Sequence, residues 1–99
     1  MSPMLKEAYE MFKTSLPIYI PIGQEKFLSV YLQDGDTKYT CYLKDEQAKT
    51  EGVLRIKKDR LATMDEDTFC MMLNIMEKRT MKPFSLVSEQ SFDASEVDR

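Results

Sequence analysis

Side chains that could do acid–base, nucleophilic or metal chemistry are scarce in this sequence, and histidine is missing altogether. That removes the commonest general base and the commonest transition-metal ligand, and with them catalytic triads and proton shuttles near neutral pH. The two cysteines, Cys41 and Cys70, sit far apart in apolar segments, form no CxxC pair, and are expected to be reduced and buried. There is no P-loop, dinucleotide fingerprint or nucleophile elbow, and three glycines in all cannot build a phosphate-cradling loop of the usual kind. Asp34, Asp36 and Asp45, and the run Asp65-Glu66-Asp67, lack the fixed offsets of a twelve-residue calcium loop, whereas turn and helix-start chemistry accounts for each of them. The chain therefore reads as non-enzymatic, with no catalytic residue, cofactor, metal or small-molecule substrate expected.

The remaining chemistry is that of binding surfaces. Phe69, Met72, Leu73 and Met76 recur at helical spacing, and Cys70, Met71 and Ile75 widen the stripe until the helix is apolar around most of its circumference. A peripheral helix needs only one covered face, and methionine's flexible side chain suits adaptable interfaces. Met71, Met72, Ile75 and Met76, together with Phe27, Tyr31 and Tyr42 on a sheet face, are thus the leading candidates for docking another protein or a second copy of this chain. The competing explanation is that neighbouring segments wrap the helix. A second constellation, Tyr31 and Tyr42 with Arg55 and Lys57, mixes aromatic and basic groups as a single-stranded nucleic-acid platform does, with Lys49, Lys58 and Arg60 near in sequence. Basic residues on a strand's solvent side also serve simply to block edge pairing.

The elements that must position these residues follow from periodicity. Met4, Leu5, Ala8, Tyr9, Met11 and Phe12 draw one stripe along a helix from about Pro3 to Thr14, with Ser2 as its cap. Leu16 to Gly23 is β-rich, but Pro17 and Pro21 lack donors, so it fits an edge strand or an extended arm. Phe27 to Gln33 and Thr37 to Lys44 flank Asp34-Gly35, which predicts a type I′ hairpin pairing Val30 with Tyr39 and Leu28 with Cys41. Moving the loop to Gly35-Asp36 changes partners but keeps faces: Leu28, Val30 and Cys41 inward, Phe27, Ser29, Tyr31 and Tyr42 outward. From Gly52 to Lys58 the alternation resumes, with Leu54 and Ile56 inward and Arg55 and Lys57 outward. Thr63 followed by Glu66 has a capping-box form and predicts a helix from about Met64 to Arg79, stopped by Pro83.

Together these predict an α+β fold: a small antiparallel meander sheet of three to four strands with an N-terminal and a C-terminal helix on one face, in the order α-β-β-β-β-α. Residues 1–84 form the single expected domain, and residues 85–99, without periodicity, read as a flexible, disordered acidic tail. The 99 residues, 42% apolar and 31% charged, suit one domain with a thin core and a net stability on the order of 5 to 10 kcal/mol. A net charge of −3 repels phosphate globally, so a nucleic-acid site has to be a local basic patch. No apolar run approaches the ~20 residues of a membrane span, and a cytoplasmic location is the default expectation. The favoured function is non-catalytic protein binding, as a homodimer, adaptor or inhibitor, with the nucleic-acid platform as its rival.

Overall fold

A computed structural model describes residues 2–84 of the chain. The first helix, α1 (Pro3–Thr14), begins where its sequence signals place it: the Ser2 hydroxyl accepts the Leu5 N–H at 3.1 Å, and Pro3 occupies a position whose missing N–H costs nothing. Four strands follow, β1 (Ile18–Gly23), β2 (Lys26–Tyr31), β3 (Lys38–Asp45) and β4 (Thr50–Lys57). A short helix α2 (Lys58–Ala62), the long helix α3 (Glu66–Arg79) and a two-residue strand β5 (Lys82–Pro83) complete the described chain. The sheet is an antiparallel meander in the order β1-β2-β3-β4-β5, so β1 is an edge, as its prolines require. Pro21 stands opposite Phe27, and the register slips between Pro21 and Gly23.

The α+β meander with helices on one face is as expected, with two additions: the fifth strand, and the single turn of α2. The β2–β3 hairpin differs from its predicted turn. Asp36 N–H donates to the Gln33 carbonyl at 3.0 Å, but only Gly35, at φ 84°, has a positive φ. A type I′ turn needs positive φ at both central residues, whereas a type II turn needs it only at the second. The strands stop pairing at Tyr31 and Thr40, short of this turn, and Val30 pairs with Cys41 and Leu28 with Leu43, two residues away from the type I′ register and in the same register as a Gly35-Asp36 loop would give. A slip of two leaves every side chain on its face.

The start of α3 also differs. Thr63 is spent closing α2, its N–H and hydroxyl both donating to the Asp59 carbonyl, and Asp65 takes over as cap, its carboxylate accepting the Thr68 N–H at 2.8 Å. Glu66 and Asp67 in the first turn and Lys78 and Arg79 in the last complement the helix dipole.

Both long helices lie on the face formed by Ile18, Leu28, Val30, Cys41 and Leu43, all buried. Phe12 of α1 and Phe69 of α3 meet at 4.9 Å between ring centroids, and Tyr9 meets Phe69 edge-on at 5.6 Å. Each such buried aliphatic or aromatic side chain contributes about 1.5–3 kcal/mol against exposure. Polar contacts fix the helices' ends: the Tyr9 hydroxyl and the Lys13 ammonium donate to the Met64 carbonyl, each at 3.0 Å, and Lys13 also reaches the carbonyls of Leu61 and Ala62. No helix of the described residues is long and apolar enough to cross a membrane.

Candidate functional site

The sheet face turned away from α1 and α3 is covered by no other element among the described residues, and the register defines its layout. Tyr19, Ser29, Tyr42 and Val53 form one cross-strand row. On one side of it lies the row Pro21, Phe27, Lys44, Glu51 and Lys82. On the other side lie Tyr31, Thr40 and Arg55, and beyond them the pair Lys38 and Lys57. Neighbouring strands are about 4.8 Å apart and successive rows about 7 Å, so the four rings occupy a checkerboard across β1, β2 and β3. Tyr19 and Phe27 stack on one another, 5.6 Å between centroids and 12° between planes, while Tyr19 stays 62% exposed. Val53 is 43% exposed beside them.

Charge is sorted on this face. Lys38, Lys44, Arg55, Lys57 and Lys82 all point from it, and the one carboxylate in the same rows, Glu51, is 5% exposed. Burial pushes the Glu51 carboxyl above its ordinary range. Lys44 lies 5.5 Å from the Phe84 ring centroid and 3.2 Å from Glu46. The overall acidity arises elsewhere: in residues 85–99, Glu89, Asp93, Glu96 and Asp98 outnumber Arg99. Subtracting them leaves 14 − 1 = 13 cations and 17 − 4 = 13 acids in residues 1–84. A balanced domain with a cationic face presents a local patch of the kind that a phosphate backbone requires.

At the Lys38–Lys57 end a cleft of about 330 Å³ opens between the sheet and α2, lined by Lys38, Arg55, Ile56, Lys57, Asp59 and Arg60. Lys49 lies at the opposite end of β3 and β4, in their turn at φ 59°, and is no part of this cluster. The turn acids have local tasks, as with Asp45, whose carboxylate accepts the N–H groups of Gln47 and Ala48. Among the described residues no three acids or cysteines gather as metal ligands would.

The helical half of the predicted docking surface is altered. Met72 (5% exposed) and Met76 (0%) belong to the core with Phe69 and Leu73, because α3 lies flat on the sheet and α1 closes its other flank. Met71 and Ile75 remain exposed, at 60% and 39%. Cys41 is buried, its thiol pushed up to about 12 by desolvation, while Cys70 is only half-buried; both are free. Phe27, Tyr31, Tyr42, Arg55 and Lys57, by contrast, share one face. Tyr19, Lys38, Lys44 and Lys82 join them and were not singled out from sequence. Tyr19 sits between two prolines that left its pairing open, and Lys38 acquires its place from a β3–β4 register that no local signal sets.

No family model, no curated protein and no solved structure matches this chain. Its function has to be argued from its own residues.

Proposed function

We propose that the chain binds single-stranded nucleic acid on the open face of its sheet. The observation that carries this reading is the sorting of four aromatic rings and five cations, one of them paired with Glu46, onto one face that no other element of the described residues covers and whose rows hold one buried carboxylate. Unpaired bases stack on Tyr19, Phe27, Tyr31 and Tyr42, each stacked base contributing about 1–3 kcal/mol in comparable platforms, and Lys38, Arg55 and Lys57 neutralise the backbone. A duplex offers its base faces only at its ends, so the face favours single strands. Docking of a protein through α3 is left with Met71 and Ile75, two side chains where four were expected.

The test is a fluorescence-anisotropy titration of a labelled mixed-sequence 20-mer, single-stranded and as duplex, across 50 to 200 mM salt. With about four phosphates neutralised, log K falls against log salt with a slope of about −3, roughly 50-fold weaker binding over that range. Tyr31→Ala and Tyr42→Ala, on the face opposite the core cluster, each weaken binding roughly tenfold with the circular dichroism unchanged. Absence of single-strand binding at 50 mM salt, or equal affinity for both tyrosine variants and the parent, would refute the reading.

A further inference from the structure

Cations face one another at one corner of the open face. Lys38 and Lys57 are direct cross-strand partners. Like charges facing one another at that spacing destabilise a sheet, where an opposite pair would support it. Arg55 lies one row away, and Arg60 comes from α2, so four cations line a single cleft of about 330 Å³. Its one acid, Asp59, accepts the Arg60 backbone N–H at 2.8 Å, and among the described residues none of the four cations is in an ion pair.

Preventing edge pairing explains only part of this cluster: β5 pairs with β4 at Thr50 and Glu51 alone, which leaves Arg55 and Lys57 on a stretch of β4 unpaired among the described residues, but Lys38 belongs to the interior strand β3 and Arg60 to α2. An internal phosphodiester of the bound strand uses only part of this cluster. A diester has one negative charge and successive diesters are spread along a strand, whereas these cations converge on one place. A phosphomonoester has a charge of about −1.5 to −2 at pH 7 and three acceptor oxygens. Its oxygens match the two guanidinium forks of Arg55 and Arg60, with the two ammoniums supplying point charge.

We propose that this cleft is a phosphomonoester site which takes the terminal phosphate of a strand lying across the aromatic rows. The proposal deepens the single-strand reading and rests on it for the identity of the ligand. Tyr31, in the same row as Arg55, is then the ring on which the terminal base stacks, and the platform reads strands from an end.

The experiment compares three oligonucleotides of one sequence, carrying a 5′-phosphate, a 3′-phosphate or neither, by anisotropy at fixed salt, and adds inorganic phosphate alone in an NMR titration. One phosphorylated end is expected to bind about tenfold tighter than the unphosphorylated strand, the scale of one added charge-assisted fork. Arg60→Ala, in α2 and outside the rows that hold the strand, abolishes that advantage and leaves the binding of the unphosphorylated strand unchanged, whereas Lys57→Ala abolishes it and also weakens all three strands by the loss of one backbone contact. Tyr31→Ala weakens all three strands. Equal affinity of the three oligonucleotides for the parent protein overturns the proposal and leaves the single-strand reading intact. If no oligonucleotide binds but inorganic phosphate shifts the amide signals of residues 55–60, and Lys57→Ala removes those shifts, the cleft is a phosphate site for a small ligand and the single-strand reading fails. If phosphate shifts nothing and no strand binds, both fall.

Discussion

Gly52 lies in β4 under the end of α3, and replacing it with alanine sets two effects of opposite sign against each other. Its φ lies outside the left-handed region, so alanine could adopt the same backbone and, by restricting the unfolded chain, add about 0.5–1 kcal/mol. A Cβ at this position, however, would stand 2.8 Å from both the carbonyl carbon and the oxygen of Thr80, closer than real Cβ contacts come, and closer still to the Thr80 hydroxyl. Thr80 is not free to retreat. Its N–H and hydroxyl both bond the Met76 carbonyl, at 3.0 and 2.8 Å, and Met76 is fully buried. Moving the end of α3 by several tenths of an ångström is overpacking of the kind that costs about 1–3 kcal/mol. Gly52→Ala should therefore be net destabilising by about 1–2 kcal/mol, a fall of roughly 5–15 °C in melting temperature for a domain of this size. Urea titration should show a lower midpoint with an unchanged slope. Gly35→Ala separates the causes: nothing lies near a Cβ there, but φ is 84°, so the loss is backbone strain. Asparagine, which tolerates that region, should restore much of the stability at position 35 and none at position 52. If Gly52→Ala is as stable as the parent or more so, the close approach of β4 to the end of α3 is refuted.

Two further predictions concern ionisable groups. Burial raises the Glu51 carboxyl, so the folded state holds this proton more tightly than the unfolded chain does; stability is greatest below the unfolded value and is lost as pH rises through the raised folded value. Glu51→Gln should thus unfold at higher urea than the parent at pH 7, with the difference vanishing at pH 4. A less stable variant at pH 7 would mean that Lys44 and Lys82 attract the carboxylate by more than its burial costs. For the thiols, a disulfide reagent at pH 8 should modify Cys70 in the native protein and reach Cys41, at 0% exposure and a pKa of about 12, only on unfolding. Two equally fast native reactions would contradict the packing of β3.

Much of the scaffold was legible because its signals are local. Ser2-Pro3 and a single stripe define α1 to the residue, and alternation assigns the faces of β2, β3 and β4 whichever turn joins them. The misplaced start of α3 came from two acceptable caps, Thr63 and Asp65, lying two residues apart; the choice depended on α2, whose five residues are too few to show a period. The methionine stripe was over-read for a related reason. Apolar breadth on a helix does not say how many neighbours cover it, and α1 covers Met76's surroundings through Phe12 and Phe69 from more than fifty residues away in sequence. The site was half legible: outward-facing aromatics and cations follow from alternation, but their gathering into rows, and the facing of Lys38 by Lys57, follow from strand register.

The bonds from Tyr9 and Lys13 to the carbonyls of residues 61–64 also bear on how the chain is made. The first helix leaves the ribosome early and the sheet face it lies on follows directly, yet its side-chain donors, and Phe12's partner Phe69, find their partners only once the α2–α3 junction and α3 have followed. Until then α1, an amphipathic segment of twelve residues too short to hold its helix alone in water, has only the sheet to lie on and neither of the helical contacts that close its other flank. The contact of α1 with α2 and α3 is therefore a closure between the two ends of the domain, and a nascent chain stalled before Leu61 should leave α1 more accessible to proteases and chaperones than the finished domain does.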